Sequence, residues 1–355
     1  MKKRILIVNS GGDCPGMNAV IRAIVKRADN DTNWEVIGSI NGFDGILKEP
    51  LELLLLDEKR VRGIHFEGGT ILTTNNKRNP FNFPVKQEDG SIENVDLSDK
   101  LFYNIRVLNF DAIIHIGGNE SHKISYKLFK KGMNIVGVPK TINNDLSVAD
   151  YTFGFQTAVQ VATEAVDKLV TTANSHSRVL ILEVMGRDAG WIALQASIAG
   201  GADICLIPEI PFTMNKIVEK LNTRYAINKR GFAIVVVAEG AYLKGKSSEI
   251  NHRGIARKIA NKLRNFNFEA DIRETILGHL QRGGTPTAID RILATELGVK
   301  AFELVKEKKF GTMAIHHNTE VLSMPLKEVI NKYNKVNLSH NLIKTAKGVG
   351  ISFGD

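Results

Sequence analysis

Two short apolar runs in this chain end in polar loops, and that pattern limits the fold more than any other feature. Asp111 to Ile116 opens into Gly117-Gly118-Asn119-Glu120-Ser121, and Asn134 to Val138 opens into Pro139-Lys140-Thr141-Ile142-Asn143-Asn144-Asp145. Apolar runs of this length read as buried strands. Polar loops at their ends fall where open α/β sheets bind ligands. The rest of the sequence repeats the alternation. Strands are predicted at Arg4–Val8, Trp34–Ile40, Ala112–Ile116, Ile135–Val138, Val179–Val184, Ile204–Ile207 and Phe232–Val237. Helices are predicted at Met17–Ala28, His122–Lys131, Gln156–Asn174, Trp191–Ala199, Lys216–Asn228, Ile255–Asn265 and Ala288–Lys306. Such alternation predicts an α/β fold, with parallel sheets wound by crossover helices packed on both faces.

At 355 residues the chain is long enough for two cores, so two domains or lobes are expected. A hydrophobic content of 43% and a charged content of 24% are those of an ordinary soluble protein. No apolar run approaches the roughly 18 residues that a membrane span needs. The start, Met1 to Val8, is basic and then apolar, but the run breaks at Asn9-Ser10-Gly11-Gly12 and reads as a first strand, not a leader. Cys14 and Cys205 make no disulfide framework, which suits a reducing cytoplasm. The formal charge of +9 would attract small polyanions such as sugar phosphates. Neither an aromatic-basic module nor a metal-finger spacing accompanies it, so nucleic acid is not an expected partner.

Within Gln156–Asn174 the spacing of Val159, Ala162, Val166 and Leu169 marks a core-facing stripe. Asn82–Asp99 is polar around Asp89-Gly90 and is expected to form an exposed hairpin or loop. After Val321 the sequence shows helical patches, then Gly348, Gly350 and Gly354, with no internal repeat.

The link from strand one to helix one is Ser10-Gly11-Gly12-Asp13-Cys14-Pro15-Gly16-Met17-Asn18. Glycines let backbone approach a phosphate, and a helix start offers unpaired N–H groups and a positive dipole end. This string resembles the first phosphate loop of the phosphofructokinase family nearly residue for residue. The resemblance runs from Arg4 to about Ile292 through further motifs: Gly68-Gly69-Thr70-Ile71-Leu72, the two loops above, Met185-Gly186-Arg187-Asp188-Ala189-Gly190-Trp191, Ala238-Glu239-Gly240, and Gly278-His279-Leu280-Gln281-Arg282-Gly283-Gly284. It implies a two-lobed α/β fold with the active cleft between lobes. Residues 1–154 plus about 280–325 would form the phosphoryl-donor lobe, and about 155–279 plus 326–355 the sugar-phosphate lobe. The implied reaction takes fructose 6-phosphate to fructose 1,6-bisphosphate in glycolysis.

The resemblance also implies roles for individual residues. Gly11, Gly12, Gly117, Gly118 and Ser121 would lie against the donor, and either Lys77 or Arg78 would supply the basic residue after Gly68-Gly69. Thr141, Arg178, Met185, Gly186, Arg187, Glu239, Arg273, His279 and Arg282 would bind the sugar phosphate, with Arg187 also near the transferred group. Arginine forks and a histidine donor suit such an anion. Arg178 and Arg273 match arginines that the family supplies across a subunit contact, which implies a homodimer or homotetramer with a shared sugar site.

Two departures from the family pattern fall near the chemistry. Asn119 stands where the family has an acid that helps hold Mg²⁺, and a neutral amide is a weaker ligand for that ion. Asn143 stands at the position of the general base. An amide can orient the sugar hydroxyl but cannot take its proton. Losing a positioned base costs about 10²–10⁴ in rate, so the pattern implies impaired turnover. Asp145 could substitute for the base or cap the following turn. Glu120 and Lys140 follow the pyrophosphate-type pattern and favour pyrophosphate over ATP. A catalytically silent sugar-phosphate sensor, or a regulatory subunit supporting an active paralogue, is the alternative. A kinase of the NAD or lipid type shares the glycine loop but does not need the run at Gly278–Gly284.

Overall fold

A computed structural model describes residues 2–227, 231–246, 254–266, 268, 270–330 and 332–355. Thirteen strands lie among the described residues. They are β1 (Lys3–Asn9), β2 (Trp34–Ser39), β3 (Leu53–Leu56), β4 (Phe83–Lys86), β5 (Ile92–Val95), β6 (Ala112–Gly117), β7 (Ile135–Pro139), β8 (Val179–Val184), β9 (Ile204–Leu206), β10 (Ala233–Ala238), β11 (Ile272–Ile276), β12 (Thr312–His317) and β13 (Glu320–Pro325). The chain divides into two compact units: residues 1–141, 146–154 and 282–333, and residues 142–145, 155–281 and 334–355.

The first unit is built on a seven-stranded sheet of order β13-β12-β7-β6-β1-β2-β3. Strands β12, β7, β6, β1 and β2 run parallel, and β3 and β13 close the edges antiparallel. Ile5, Leu6, Ile7 and Val8 of β1 are all fully buried, as expected for a strand covered on both faces. Each such side chain contributes about 1.5–3 kcal/mol of burial. Strand β1 has β2 on one side and β6 on the other, so the connections leave in opposite directions at its carboxyl end. That topological switch point puts Ser10-Gly11-Gly12 in the crevice where such sheets take ligands.

The second unit holds a four-stranded parallel sheet, β11-β8-β10-β9. All residues of β8 and β10 are buried, and the helices Met214–Ile227 and Ile255–Asn265 contribute Ile217, Leu221, Ile259 and Leu263 to its core. Among the described residues, no helix is long and apolar enough to cross a membrane.

The predicted strands and helices form at their predicted places, with ends that move by one to three residues; position 228, the expected end of one helix, lies outside the described residues. The largest shift falls at the loop after β6. The helix expected from His122 begins at Asn119, with Gly118 as its N-cap. A glycine cap frees the chain to turn into the helix at once, and Glu120 in the first turn suits the positive dipole end. The segment around Asp89-Gly90 forms the β4–β5 hairpin, with Gly90 at a φ of 84°.

Candidate active site

In the first unit the glycine turn after β1 faces two cations. The Lys140 ammonium donates to the Gly12 carbonyl, and Arg282 Nη1 donates to the Asp13 carbonyl at 3.0 Å. A Cβ added at Gly11 would lie 3.0 Å from Lys140 Nζ, and one at Gly12 would lie 3.0 Å from Arg282 Nη1. Gly11 also has a φ of +83°, which favours glycine there whatever the Lys140 side chain does. The turn is tied down by Gly11 N–H to the Asn75 carbonyl (3.1 Å) and Thr74 Oγ1 to the Gly11 carbonyl (2.8 Å). Gly68 is held by the buried Asn18. The Asn18 amide donates to the Glu67 and Gly68 carbonyls at 3.3 and 3.4 Å, and its oxygen accepts from Ile71 N–H at 2.8 Å.

The start of the helix Asn119–Lys130 belongs to the same unit. Asn119 is buried, and neither polar atom of its side chain has a hydrogen-bond partner among the described residues. Ser121 is buried, with Oγ 3.6 Å from where a Cβ of Gly11 would stand. Glu120 turns outward, takes Lys123 Nζ at 2.6 Å and lies 3.3 Å from the Tyr333 hydroxyl.

The second unit holds residues 142–145 and the arginine-bearing loops. Asn143 is buried, with Nδ2 3.5 Å from Asp145 Oδ2. Asn144 adopts a φ of 52°, and Asn334 fixes this bend by donating Nδ2 to the Asn144 carbonyl (3.1 Å) and its N–H to the Asp145 carbonyl (3.0 Å). After β8, Arg187 also sits in the left-handed region, at 51°. Glu239 Oε1 holds that bend by accepting from Gly186 and Arg187 N–H at 3.3 and 3.0 Å. Glu209 accepts from Gly190 N–H (3.0 Å) and Val336 N–H (2.8 Å), and burial pushes its carboxyl above the usual range against those bonds. Met185 N–H donates to the buried Gln281 at 3.2 Å. Arg178 and Arg273 share one carboxylate, Asp271, at 2.8 and 3.2 Å.

Residues 4–305 match the family profile described as Phosphofructokinase. The chain belongs to the phosphofructokinase family. It is 45% identical to the ATP-dependent 6-phosphofructokinase 2 of Clostridium perfringens, over 99% of each chain. It is 42% identical to the ATP-dependent 6-phosphofructokinase 1 of Synechocystis, again over 99% of each. Among solved structures, the phosphofructokinase of Pichia pastoris in the T-state superposes with a TM-score of 0.79 at 29% identity, covering 98% of this chain; this chain spans about 36% of that one.

Set beside the phosphofructokinase motifs, several expected site residues take definite places. Of the two basic candidates after Gly68-Gly69, Arg78 is committed elsewhere: its guanidinium meets the fully buried Asp44 (3.2 Å) and the Pro84 carbonyl (3.0 Å) and stacks on Phe83. Lys77 is exposed and makes no ion pair among the described residues. Arg282, expected at the sugar phosphate, stands over the Gly12-Asp13 turn. Thr141 is buried and receives the Thr152 hydroxyl on its carbonyl at 2.9 Å, while His279 is exposed. Cys14 and Cys205 are free, and burial pushes both thiols up to about 12, which makes them packing residues and not nucleophiles.

Sequence reasoning missed Asn18, Glu209, Asp271, Gln281 and Asn334. Asn18 and Gln281 lie inside motifs the sequence had marked, but their hydrogen-bond partners, and the roles of the other three, lie elsewhere in the chain. Gly240 gives a direct test of the Arg187 bend. A Cβ there would lie 1.9 Å from the Arg187 carbonyl oxygen. Gly240→Ala is therefore expected to destabilise the protein by about 1–3 kcal/mol, read as a lower Tm, whereas Gly348→Ala, with open space around it and no positive φ, should cost less.

Proposed function

We propose that this chain transfers the γ-phosphoryl group of ATP to the 1-hydroxyl of fructose 6-phosphate, and that Asn143 holds the rate down. The observation that carries the reading is the Gly11-Gly12 turn faced by the Lys140 ammonium and the Arg282 guanidinium. Two bare peptide units beside two cations form a cradle for a polyphosphate, and the first turn of the helix at Asn119 adds unpaired N–H groups to it. Lys77 is the basic residue that we assign to the outer phosphates. Phosphoryl transfer needs positioning and charge neutralisation more than covalent help, so direct in-line transfer fits this set. A phosphorylated protein intermediate would contradict it.

The sequence pattern favoured pyrophosphate because an acid at Glu120 would repel and crowd a nucleotide. Glu120 is engaged by Lys123 and Tyr333 instead, which removes much of that repulsion. The relatives from Clostridium perfringens and Synechocystis are named ATP-dependent. Both points support ATP.

Family membership implies Mg²⁺, yet the residues at its expected position suit a protein-held ion poorly. Asn119 offers one neutral oxygen, and among the described residues no group of three or more His, Cys, Asp or Glu is placed to hold a metal. The unpartnered Asn119 amide is better suited to donating a hydrogen bond to a phosphate oxygen, which a carboxylate could not do. Asn119→Asp is expected to lower the Mg²⁺ concentration for half-maximal activity at fixed ATP; an unchanged Mg²⁺ titration would count against this assignment.

On the acceptor side, Arg187, Glu239 and His279 would hold the sugar phosphate, and Arg178 and Arg273 would serve a neighbouring subunit's site in a homo-oligomer. The test is fructose 1,6-bisphosphate formation with ATP and with pyrophosphate. Product from ATP supports the reading, and product from pyrophosphate alone overturns the donor assignment. A second reading, a sugar-phosphate binder without turnover, is favoured by the neutral Asn143. It prevails if calorimetry detects fructose 6-phosphate binding while neither donor gives product, even after Asn143→Asp.

A further inference from the structure

His115 lies in the middle of β6, fully buried, and the chemistry above makes no use of it. A histidine in a strand covered on both faces costs desolvation that the neighbouring isoleucines do not, unless both ring nitrogens are bonded. Both are. Nε2 lies 2.6 Å from Ser10 Oγ, and Nδ1 lies 2.7 Å from Ser125 Oγ. Ser125 Oγ in turn reaches the Ser121 carbonyl at 3.3 Å. Ser10, Ser121 and Ser125 are all buried, and Phe43 meets the imidazole edge-to-face with centroids 5.1 Å apart.

The polarity of this chain follows from its end. A carbonyl only accepts, so the Ser125 proton goes to Ser121. Ser125 Oγ then accepts from Nδ1–H, which leaves Nε2 unprotonated to accept the Ser10 proton. Burial, reinforced by His122 and Lys140, holds His115 well below the usual histidine range, which keeps the ring neutral as this arrangement requires.

The two ends of the chain are the informative part. Ser10 immediately precedes Gly11-Gly12, and Ser121 belongs to the first turn of the helix that begins at Asn119. The ladder between β1 and β6 has its last pair at Asn9 and Ile116, just before both loops. Past that point Ser10 N–H still reaches the Ile116 carbonyl at 2.9 Å, and the buried hydrogen bonds through His115 carry the link from the Ser10 side chain to Ser125 and the Ser121 carbonyl.

We propose that His115 is a positioning residue for the phosphoryl donor, fixing the spacing between the Gly11-Gly12 turn and the first turn of the Asn119 helix through Ser10 and Ser125. The proposal rests on the reading that these loops bind ATP. It predicts that breaking the chain weakens the donor and leaves the sugar phosphate alone.

The test is calorimetric titration of the full chain with ATP and Mg²⁺, with pyrophosphate and Mg²⁺, and separately with fructose 6-phosphate, alongside thermal melts. His115→Leu loses both hydrogen bonds. His115→Asn places its amide at the Nδ1 position and keeps only Ser125. His115→Gln reaches the Nε2 position and keeps Ser10. The Leu and Asn variants are expected to raise the ATP Kd about tenfold, the equivalent of about one buried hydrogen bond. The Gln variant, which keeps Ser10 but loses Ser125, should weaken ATP by about threefold or more. Ser125→Ala, which suits a helix, cuts the chain without touching the strand and should weaken ATP by about threefold or more. In every variant the fructose 6-phosphate Kd should hold. Unchanged ATP affinity in the Leu and Ser125→Ala variants overturns the proposal. So does equal weakening of both ligands in step with Tm, the mark of a general core defect. If the unaltered chain binds neither ATP nor pyrophosphate, the function reading falls and this proposal with it.

Discussion

Asn143→Asp is expected to raise the rate of fructose 1,6-bisphosphate formation by about 10²–10⁴-fold, with little change in KM for either substrate. An aspartate occupies nearly the same volume as asparagine, so the buried bend at residues 142–145 should keep its shape. Asn334 holds that bend through the Asn144 and Asp145 carbonyls, which the substitution leaves in place. What changes is the ability to take a proton from the sugar hydroxyl, an interaction made mainly in the transition state. Its gain should therefore appear in kcat and not in KM. The new carboxylate would stand close to Asp145, since the amide nitrogen it replaces is 3.5 Å from Asp145 Oδ2. Two neighbouring carboxylates resist losing both protons. The variant's rate–pH profile is accordingly expected to rise through a limb above the ordinary carboxylate range. Adding Asp145→Asn should move that limb down. If Asn143→Asp turns over no faster than the unaltered chain, the base is supplied elsewhere and the impaired-transfer reading is wrong.

The elements legible in the sequence were those buried on both faces. Strands β1, β6, β8 and β10 are apolar throughout or nearly so, and their packing leaves little room for another reading. The strands that escaped lie at sheet edges or, for β12, next to one. Strand β11 reads Ile-Arg-Glu-Thr-Ile and is mostly exposed, so its charges hide it. Strand β3 is a run of four leucines, a residue with helical preference, and only its pairing with β2 makes it a strand. Strands β12 and β13 form a hairpin whose turn, Asn318-Thr319, has both residues at positive φ. Asn-Gly there would have announced a tight hairpin; a β-branched threonine in that conformation does not.

The site divides on similar lines. Gly11 and Gly12 were legible because the signal is local: a Gly-Gly turn between a strand and a helix, with Gly11 at positive φ. That Arg78 is held by the buried Asp44 was not legible, because its partner lies more than thirty residues earlier in the chain. The same holds for Arg282, which meets the Asp13 carbonyl across most of the chain's length. Glu120 was read as an acid facing the donor because sequence gives its neighbours and not its direction. Once the helix starts at Asn119, Lys123 lies one turn on and captures it.

Lys140→Met should weaken ATP and pyrophosphate alike by about 10²-fold or more, the usual consequence of truncating one partner of a buried, hydrogen-bonded charge. The residue is 4% exposed, and its ammonium donates to the Gly12 carbonyl. A methionine fills the stem's space but supplies no positive charge, so the comparison isolates the ammonium from the packing. Lys140→Arg is not a conservative replacement. The guanidinium is larger and planar, and the ammonium already stands 3.0 Å from where a Cβ of Gly11 would be. Arginine is therefore expected to crowd the glycine turn and to recover less than half of the lost binding free energy. The alternative role for Lys140 is purely structural, a clamp on the Gly12 carbonyl. In that case the methionine variant would melt at lower temperature while the surviving folded protein bound ATP with unchanged Kd. Titration below the melting transition separates the two, because a cation facing the donor changes affinity even where the fold is intact.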